Sequence, residues 1–197
     1  MVSKTMAVIL AILEESGTPI HRTKLVKLTY LADNLFYEHF GMTITGLGYM
    51  WDDFGPNAIS NAIVKESGKL ADAEFACLKV GTSMYGSENY IYSIGPKRFE
   101  IPENLLSPLE RQVIRDTVER YRNYSVTSIV SASKKTKPFK DALQYTVLKM
   151  TKSIEYQDLL DAVKLNTDFM AGIKEGLKAS AESEGMRLQE VKQKYGL

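Results

Sequence analysis

The sequence has few of the side chains that build metal sites, disulfides or common catalytic motifs. Its 197 residues include one cysteine, Cys77, and two histidines, His21 and His39. A lone cysteine excludes a disulfide or a thiolate metal site within the chain. Zinc-protease, Cys-x-x-Cys, Gly-x-Ser-x-Gly and phosphate-loop patterns are all missing, and His39 is predicted to be a partly buried residue at a helix end. We therefore predict a protein that is not an enzyme and holds no cofactor or metal.

The sequence also lacks a strong charge of either sign and a long hydrophobic run. The net charge of +1 gives no global footprint for nucleic acid. A local basic run is interpreted first as a solvated loop and alternatively as a weak DNA contact: Lys134, Lys135, Lys137 and Lys140. The apolar segment at residues 6–13 is too short to cross a bilayer and precedes no cleavage pattern. These features predict a cytoplasmic protein without membrane contact.

The stretch at residues 21–63 contains the pattern of a central helix. Apolar residues recur at the helical period on two adjoining faces: Leu25, Leu28, Ala32, Leu35 and Phe36 on one, and Val26, Tyr30, Tyr37 and Phe40 on the other. Four residues are expected to supply a narrow polar edge: Lys24, Lys27, Asn34 and Glu38. A helix with two apolar faces is buried nearly all round. It is predicted to end at Gly41 and to pack against a first helix at residues 3–16.

The segment after this helix is rich in turn residues. Gly46 and Gly48 favour a turn, and residues 49–51 favour a brief strand. Pro56 is expected to open a helix that ends at Gly68, because proline is favourable at the first helical position. Asp53 would then accept hydrogen bonds from the first amides of that helix.

Later elements follow from local signals. Residues 75–80 and 90–94 predict a β-hairpin, which together with residues 49–51 would form a three-stranded sheet. A capping box at residues 107–110 starts a helix that runs to about residue 124. A shorter helix follows at 126–133, and residues 154–165 close the domain. The fold class is α+β, mainly α: a helical bundle around a central buried helix with a small antiparallel sheet, plus a C-terminal helical tail. Two domains are predicted, residues 1–165 and 166–197.

Within the central stretch, a set of residues occurs in an order and spacing that resemble the Panacea domain of the SocA-like antitoxin family. The residues that carry the resemblance are Lys27, Leu28, Tyr30, Leu31, Ala32, Asp33, Gly41, Ile44, Gly46, Trp51, Asp53, Gly55 and Pro56. Members often have a Ser-His pair before a Pro-aromatic step, whereas residues 131–139 here keep Pro138 and Phe139 but no histidine. The resemblance implies an antitoxin that sequesters a cognate protein toxin.

The C-terminal segment has the pattern of two weak amphipathic helices. Its apolar residues are Phe169, Ile173, Leu177, Leu188, Val191 and Tyr195. Gly172 and Gly176 each cost about 1 kcal/mol against alanine within a helix, so the first helix needs a surface to lie on. The order resembles the toxin-wrapping tails of type II antitoxins and predicts partner-binding residues. Alternatively, the tail packs on its own domain or on a second copy in a homodimer.

Three hypotheses for function remain. The first is an antitoxin of a toxin-antitoxin system, which neutralises its toxin by direct binding. The second is another interaction role, as a protease adaptor or as a phage or prophage protein that binds a host partner. The third is a small hydrolase or metal-binding protein that uses Asp33, Asp52 and Asp53 as base, acid or cation ligands. Acids beside such turns more often accept backbone hydrogen bonds, which favours a structural role for them.

Overall fold

A computed structural model of the chain describes residues 2–82, 86 and 88–151. These residues belong to the first of two units into which the chain divides, Met1–Lys152 and Ser153–Leu197. The helix predicted at 154–165, the domain boundary after residue 165 and the partner-binding tail all lie outside the described residues, and they stay predictions.

The helices of the described part confirm an architecture that is mainly helical. They are α1 (Lys4–Ser16), α2 (Arg22–Phe40), α3 (Ala62–Asp72), α4 (Pro108–Arg120), α5 (Val126–Lys134) and α6 (Lys137–Asp141), with a 3-10 turn at Ile59–Asn61. Helices α1 and α2 lie at the centre, in contact with each other and both in contact with α3 and α4. No helix in this part of the chain has the length and apolar character needed to cross a membrane.

Helix α1 is buried more completely than the sequence pattern suggested. Every residue from Thr5 to Leu13 is buried, because this stretch is apolar on all sides. Ser3 caps its start, with its hydroxyl accepting from the Met6 amide, and Gly17 ends it in the left-handed conformation. The predicted first helix is therefore confirmed, and it shares the centre of the core with α2.

Helix α2 ends where predicted, but two of the four residues predicted for its polar edge are buried. It ends at Gly41, which has φ of +71°. Lys27 and Asn34 are 3% and 6% exposed instead of facing solvent, and Leu35 is only half-buried. Lys27 is buried because its amine has a carbonyl partner in a loop that packs on the helix. Sequence periodicity does not reveal such a partner.

The strands form two small antiparallel sheets. They are β1 (Ile20–His21), β2 (Tyr49–Met50), β3 (Asn57–Ala58), β4 (Ala76–Thr82) and β5 (Glu88–Ile94). One sheet has the order β1-β5-β4, and β2 pairs with β3 in the other. The predicted β4-β5 hairpin is confirmed. The prediction that residues 49–51 join it is wrong, because β1 pairs with β5 at that edge, through Ile20 opposite Tyr92.

The prediction that a helix begins at Pro56 is also wrong. The residues after the proline extend as β3 and pair with β2, with Asn57 opposite Met50. Ser60 and Asn61 then have φ of +59° and +55°, which a right-handed helix does not accommodate. Helix α3 therefore starts at Ala62 and continues through Gly68 to Asp72, so Gly68 does not end it.

The capping box before α4 is confirmed. The Ser107 hydroxyl accepts from the Glu110 amide at 3.3 Å, and the Glu110 carboxylate accepts from the Ser107 amide at 2.8 Å. This reciprocal pair satisfies two amides that the helix start leaves free. The helix ends at Arg120, a few residues earlier than predicted, and α5 begins at its predicted residue.

The different burial of two leucines on α2 generates the first prediction. Leu28 is 1% exposed, so Leu28→Ala should lower the free energy of unfolding by about 2 to 5 kcal/mol. Leu35 is only half-buried, so Leu35→Ala, the same truncation on the same helix, should cost less than about 2 kcal/mol. Urea unfolding of both variants measures the difference, and equal losses would contradict the described burial.

Candidate functional site

The site begins with a buried carboxylate on α2. Asp33 is 0% exposed, and its oxygens accept hydrogen bonds from the Thr45 amide at 3.0 Å, the Thr45 hydroxyl and the Tyr49 hydroxyl at 2.6 Å. Burial raises the pKa of Asp33 to about 6, and the hydrogen bonds from Thr45 and Tyr49 oppose that rise. Asp33 therefore fixes the loop after α2 to the helix.

Two tyrosines extend this contact to the start of α6. The rings of Tyr30 and Tyr49 meet edge to face, with centroids 5.0 Å apart. The Tyr30 hydroxyl lies 2.7 Å from the hydroxyl of Thr136, which precedes α6. Burial raises the pKa of both tyrosines, so both remain neutral phenols. Helix α2 is thereby linked through Asp33 and Tyr30 to two distant segments of the chain.

The Gly55-Pro56 step packs between α2 and α5. The Lys27 amine donates to the Pro56 carbonyl at 2.7 Å. Burial lowers the pKa of Lys27 to about 8, against the opposing charge of Asp52. Gly55 has φ of +85°, and a Cβ there would lie 2.9 Å from the Ser133 hydroxyl oxygen. Glycine is required by both the backbone conformation and the close approach.

Of the two acids in this loop, Asp52 holds the turn and Asp53 does not make the contact predicted for it. The Asp52 carbonyl accepts from the Gly55 amide at 2.8 Å, and its carboxylate accepts from the Phe54 amide at 2.9 Å. Asp52 therefore holds the turn. The prediction that Asp53 accepts from amides after Pro56 is wrong: its carboxylate accepts from the Tyr145 hydroxyl at 3.0 Å, because the residues after Pro56 form a strand.

Aromatic side chains cover the outer side of the loop. Trp51 stacks on Phe139 of α6 with ring centroids 5.3 Å apart, and Tyr145 meets Trp51 edge to face, also at 5.3 Å. The Trp51 amide donates to the Thr146 carbonyl at 2.8 Å, and the Leu148 amide donates to the Tyr49 carbonyl at 2.8 Å. Residues 146–148 thus lie beside β2, with an isolated antiparallel bridge between Met50 and Val147.

Most of the residues singled out by the family motif meet in this arrangement, which we call the motif cluster. Its members from the sequence prediction are Lys27, Tyr30, Asp33, Trp51, Asp53, Gly55 and Pro56. Leu28 lies instead in the core, and Gly46 supplies a turn with φ of +74°. Sequence reasoning did not predict the contacts of these residues with Thr45, Tyr49, Ser133, Thr136, Phe139 and Tyr145. Three of these partners had a signal: Thr45 lies between the motif residues Ile44 and Gly46, Tyr49 lies in the predicted strand, and Phe139 belongs to the Pro-aromatic step of the family.

Three lysines of the basic run lie on α5 and α6, and Lys135 lies in the turn between these helices. Lys134 ends α5 and donates to the Asp53 carbonyl at 2.6 Å. Lys135, Lys137 and Lys140 are exposed, as a solvated run should be. Nothing in the described residues tests the DNA contact suggested for these lysines.

The motif cluster has the chemistry of a structural network. Asp33 has no exposed surface through which it could reach a substrate. One of its oxygens accepts from the Thr45 amide and the other from the hydroxyls of Thr45 and Tyr49. Within residues 2–82, 86 and 88–151, no group of three or more acidic, histidine or cysteine side chains could hold a metal ion.

Comparison with known proteins gives the class of the chain. The family model described as antitoxin SocA-like, Panacea domain, matches residues 25–140. This range covers more than half of the chain and runs from α2 to α6. The protein therefore belongs to the SocA-like antitoxin family and contains its Panacea domain. No curated protein and no solved structure matches the chain.

Two glycines allow the close packing in the motif cluster to be tested separately from backbone strain. Gly55 and Gly46 both have positive φ, but a Cβ at Gly46 would meet no atom within 4 Å. Gly46→Ala should therefore cost only the conformational strain, about 1 to 2 kcal/mol. Gly55→Ala should cost roughly 1 to 3 kcal/mol more, because the new methyl group presses on Ser133. Thermal or urea unfolding measures both, and equal losses would show that α5 does not press on Gly55.

The buried carboxylate predicts a pH dependence. The pKa of Asp33 rises from an ordinary 3.8 to about 6 in the folded state, so the folded state binds this proton more tightly than the unfolded state. The contribution of this bound proton to the free energy of unfolding is fully present below about pH 3.8, falls as the pH rises and is lost above about pH 6. The free energy of unfolding, taken relative to Asp33→Asn, should fall by roughly 2 kcal/mol between pH 4 and pH 7. A pH-independent difference between the two proteins would contradict this.

Proposed function

We propose that the protein is an antitoxin that neutralises a small protein toxin in the cytoplasm by binding it directly. Membership of the SocA-like antitoxin family supports the toxin-antitoxin context. One observation in the structure favours binding over catalysis: the polar groups of the motif cluster bond to one another and to the backbone. Asp33 bonds to Thr45 and Tyr49, and Lys27 bonds to the Pro56 carbonyl.

A hydrolase would need an acid or base within reach of a substrate. Asp33 is enclosed, and the accessible acids Asp52 and Asp53 accept hydrogen bonds that hold the loop. The motif therefore serves to shape a domain, and partner recognition falls to residues outside it.

The C-terminal segment supplies the second part of the proposal. Residues 166–197 bind the toxin through apolar anchors at Phe169, Ile173, Leu177, Leu188, Val191 and Tyr195. In such interfaces a few buried apolar residues provide most of the binding energy, and an amphipathic helix places them on one face. The sequence pattern carries this part of the proposal, since these residues lie outside the described part of the chain.

Co-expression with the small protein encoded beside this gene tests the proposal. The full-length chain should restore growth to cells that the neighbour arrests. Truncation after Asn166, or the triple change Phe169→Ala, Ile173→Ala and Leu177→Ala, should abolish that rescue because the anchors are lost. The matched control replaces three polar residues of the same segment: Lys174→Ala, Glu175→Ala and Lys178→Ala. This control should still rescue growth.

Two outcomes would change the proposal. Failure of the full-length chain to rescue growth or to co-purify with a neighbour of proven toxicity would overturn the antitoxin function. Full rescue by the truncated chain would instead move the toxin-binding surface to residues 1–165. Loss of rescue on truncation counts for the proposal only if the truncated chain still unfolds cooperatively on heating, which shows that the remaining domain is folded.

A further inference from the structure

Within the described part of the chain, residues 146–148 bridge to β2 on one side and leave an open edge on the other. Met50 and Val147 form an antiparallel bridge. The two hydrogen bonds that flank this bridge involve the residues on either side of Val147, namely the Thr146 carbonyl and the Leu148 amide. In an antiparallel pair, alternate residues direct their backbone groups to opposite sides. The N–H and C=O of Val147 therefore point away from β2. This edge can accept a further strand.

The side chains around this edge are apolar and exposed. Leu143, Tyr145 and Val147 are 78%, 62% and 60% exposed. Leu143 and Val147 line one cleft together with Pro138 and Lys149. An exposed edge strand with apolar side chains is a template for pairing with another chain, and clusters of exposed apolar side chains mark interaction sites.

The edge is held in a fixed position. A turn precedes it, closed by the Thr146 amide donating to the Leu143 carbonyl at 3.2 Å. Tyr145 in this turn has φ of +59°, a conformation that costs a bulky residue free energy. Its hydroxyl bonds to Asp53 and its ring lies against Trp51, so the motif cluster maintains the strained turn. Prior fixing of a binding surface lowers the entropy cost of association.

The positive charge near the edge favours an acidic partner. Residues 134–149 contain five lysines and one aspartate, in a chain whose net charge is only +1. Lys149 and Asp141 both line the cleft that contains Val147. Lys137 and Lys140 lie on α6, whose Pro138 also lines this cleft, so lysines outnumber acids around it. A second copy of this chain would bring a second basic segment to the edge, and like charges repel. A nucleic acid would match the lysines, but the exposed strand edge and its apolar side chains offer nothing to phosphates. An acidic polypeptide matches both the charge and the edge.

We propose that the edge at Val147 binds an extended, acidic segment of the partner protein as an additional β-strand. Backbone hydrogen bonds to Val147 provide the pairing, apolar side chains of the segment contact Leu143 and Val147, and its acids face the lysines. This mode is β-augmentation. The inference rests on the proposed function, in which the partner is the toxin, and adds a second contact surface to the one proposed for the C-terminal segment.

The test uses the full chain and a fluorescently labelled peptide that alternates valine or threonine with glutamate. Wild type should bind it, and Val147→Asp should weaken binding at least about tenfold, because the new charge repels the peptide and removes an apolar contact. Val80→Asp on β4 is the matched control, since Val80 is 58% exposed against 60% for Val147. It should change the affinity less than about twofold. A counterpart peptide with lysine for glutamate should not bind.

A second measurement needs no variant. Hydrogen exchange at the Val147 amide should slow when the acidic peptide is added, because that N–H then donates to the new strand. No slowing, no binding by wild type, or equal loss of affinity in the two aspartate variants would overturn the proposal. So would self-association of wild type that Val147→Asp abolishes, which assigns the edge to a second copy, or duplex DNA binding that Val147→Asp abolishes.

The two proposals can fail independently. Growth rescue without peptide binding would leave the antitoxin function intact and remove the edge from it. Peptide binding without growth rescue would keep the edge as a docking surface and remove the toxin as its partner.

Discussion

The arrangement of the loop after α2 depends on one buried carboxylate. A charged group without exposed surface is strongly destabilising unless donors replace its lost water. The amide and hydroxyl of Thr45 and the hydroxyl of Tyr49 offset part of this cost at Asp33, whose pKa nevertheless stays above its ordinary value. The same bonds fix the position of β2, which contains Tyr49. Because β2 pairs with β3 on one side and with residues 146–148 on the other, three distant segments take their positions from this contact.

Helix α2 holds the loop at a second point. Lys27 lies six residues before Asp33, and its amine bonds to the Pro56 carbonyl. The two buried charges of opposite sign do not pair with each other; each binds one end of the loop. The loop is thus fixed to a single rigid helix at both ends, which leaves the intervening turn to contact α5 and the aromatic side chains. Gly55 permits this contact, because a larger residue would press on Ser133.

Sequence reasoning succeeded where the signal is local. The capping box at Ser107 and the glycine that ends α2 are satisfied within a few residues of themselves. It failed where a distant partner overrides the local signal, as at Pro56, where pairing of β3 with β2 replaces a helix. The motif cluster shows the same limit. Motif order identified Asp33 and Gly55, but Thr136 meets Tyr30 from 106 residues away, and no spacing rule predicts that contact.

The polar side chains of the motif cluster bond within the domain instead of facing a partner. Residues that hold a fold together restrict its shape, but they do not touch what the surface binds. If the proposed function is correct, discrimination between toxins must come from residues outside the motif, and differences in affinity depend on those contacts. The edge at Val147 lies seven residues beyond the part of the chain that the family model matches, and the proposed C-terminal anchors lie further on. A change in either segment would alter the partner while Asp33, Lys27 and Gly55 continue to maintain the same domain.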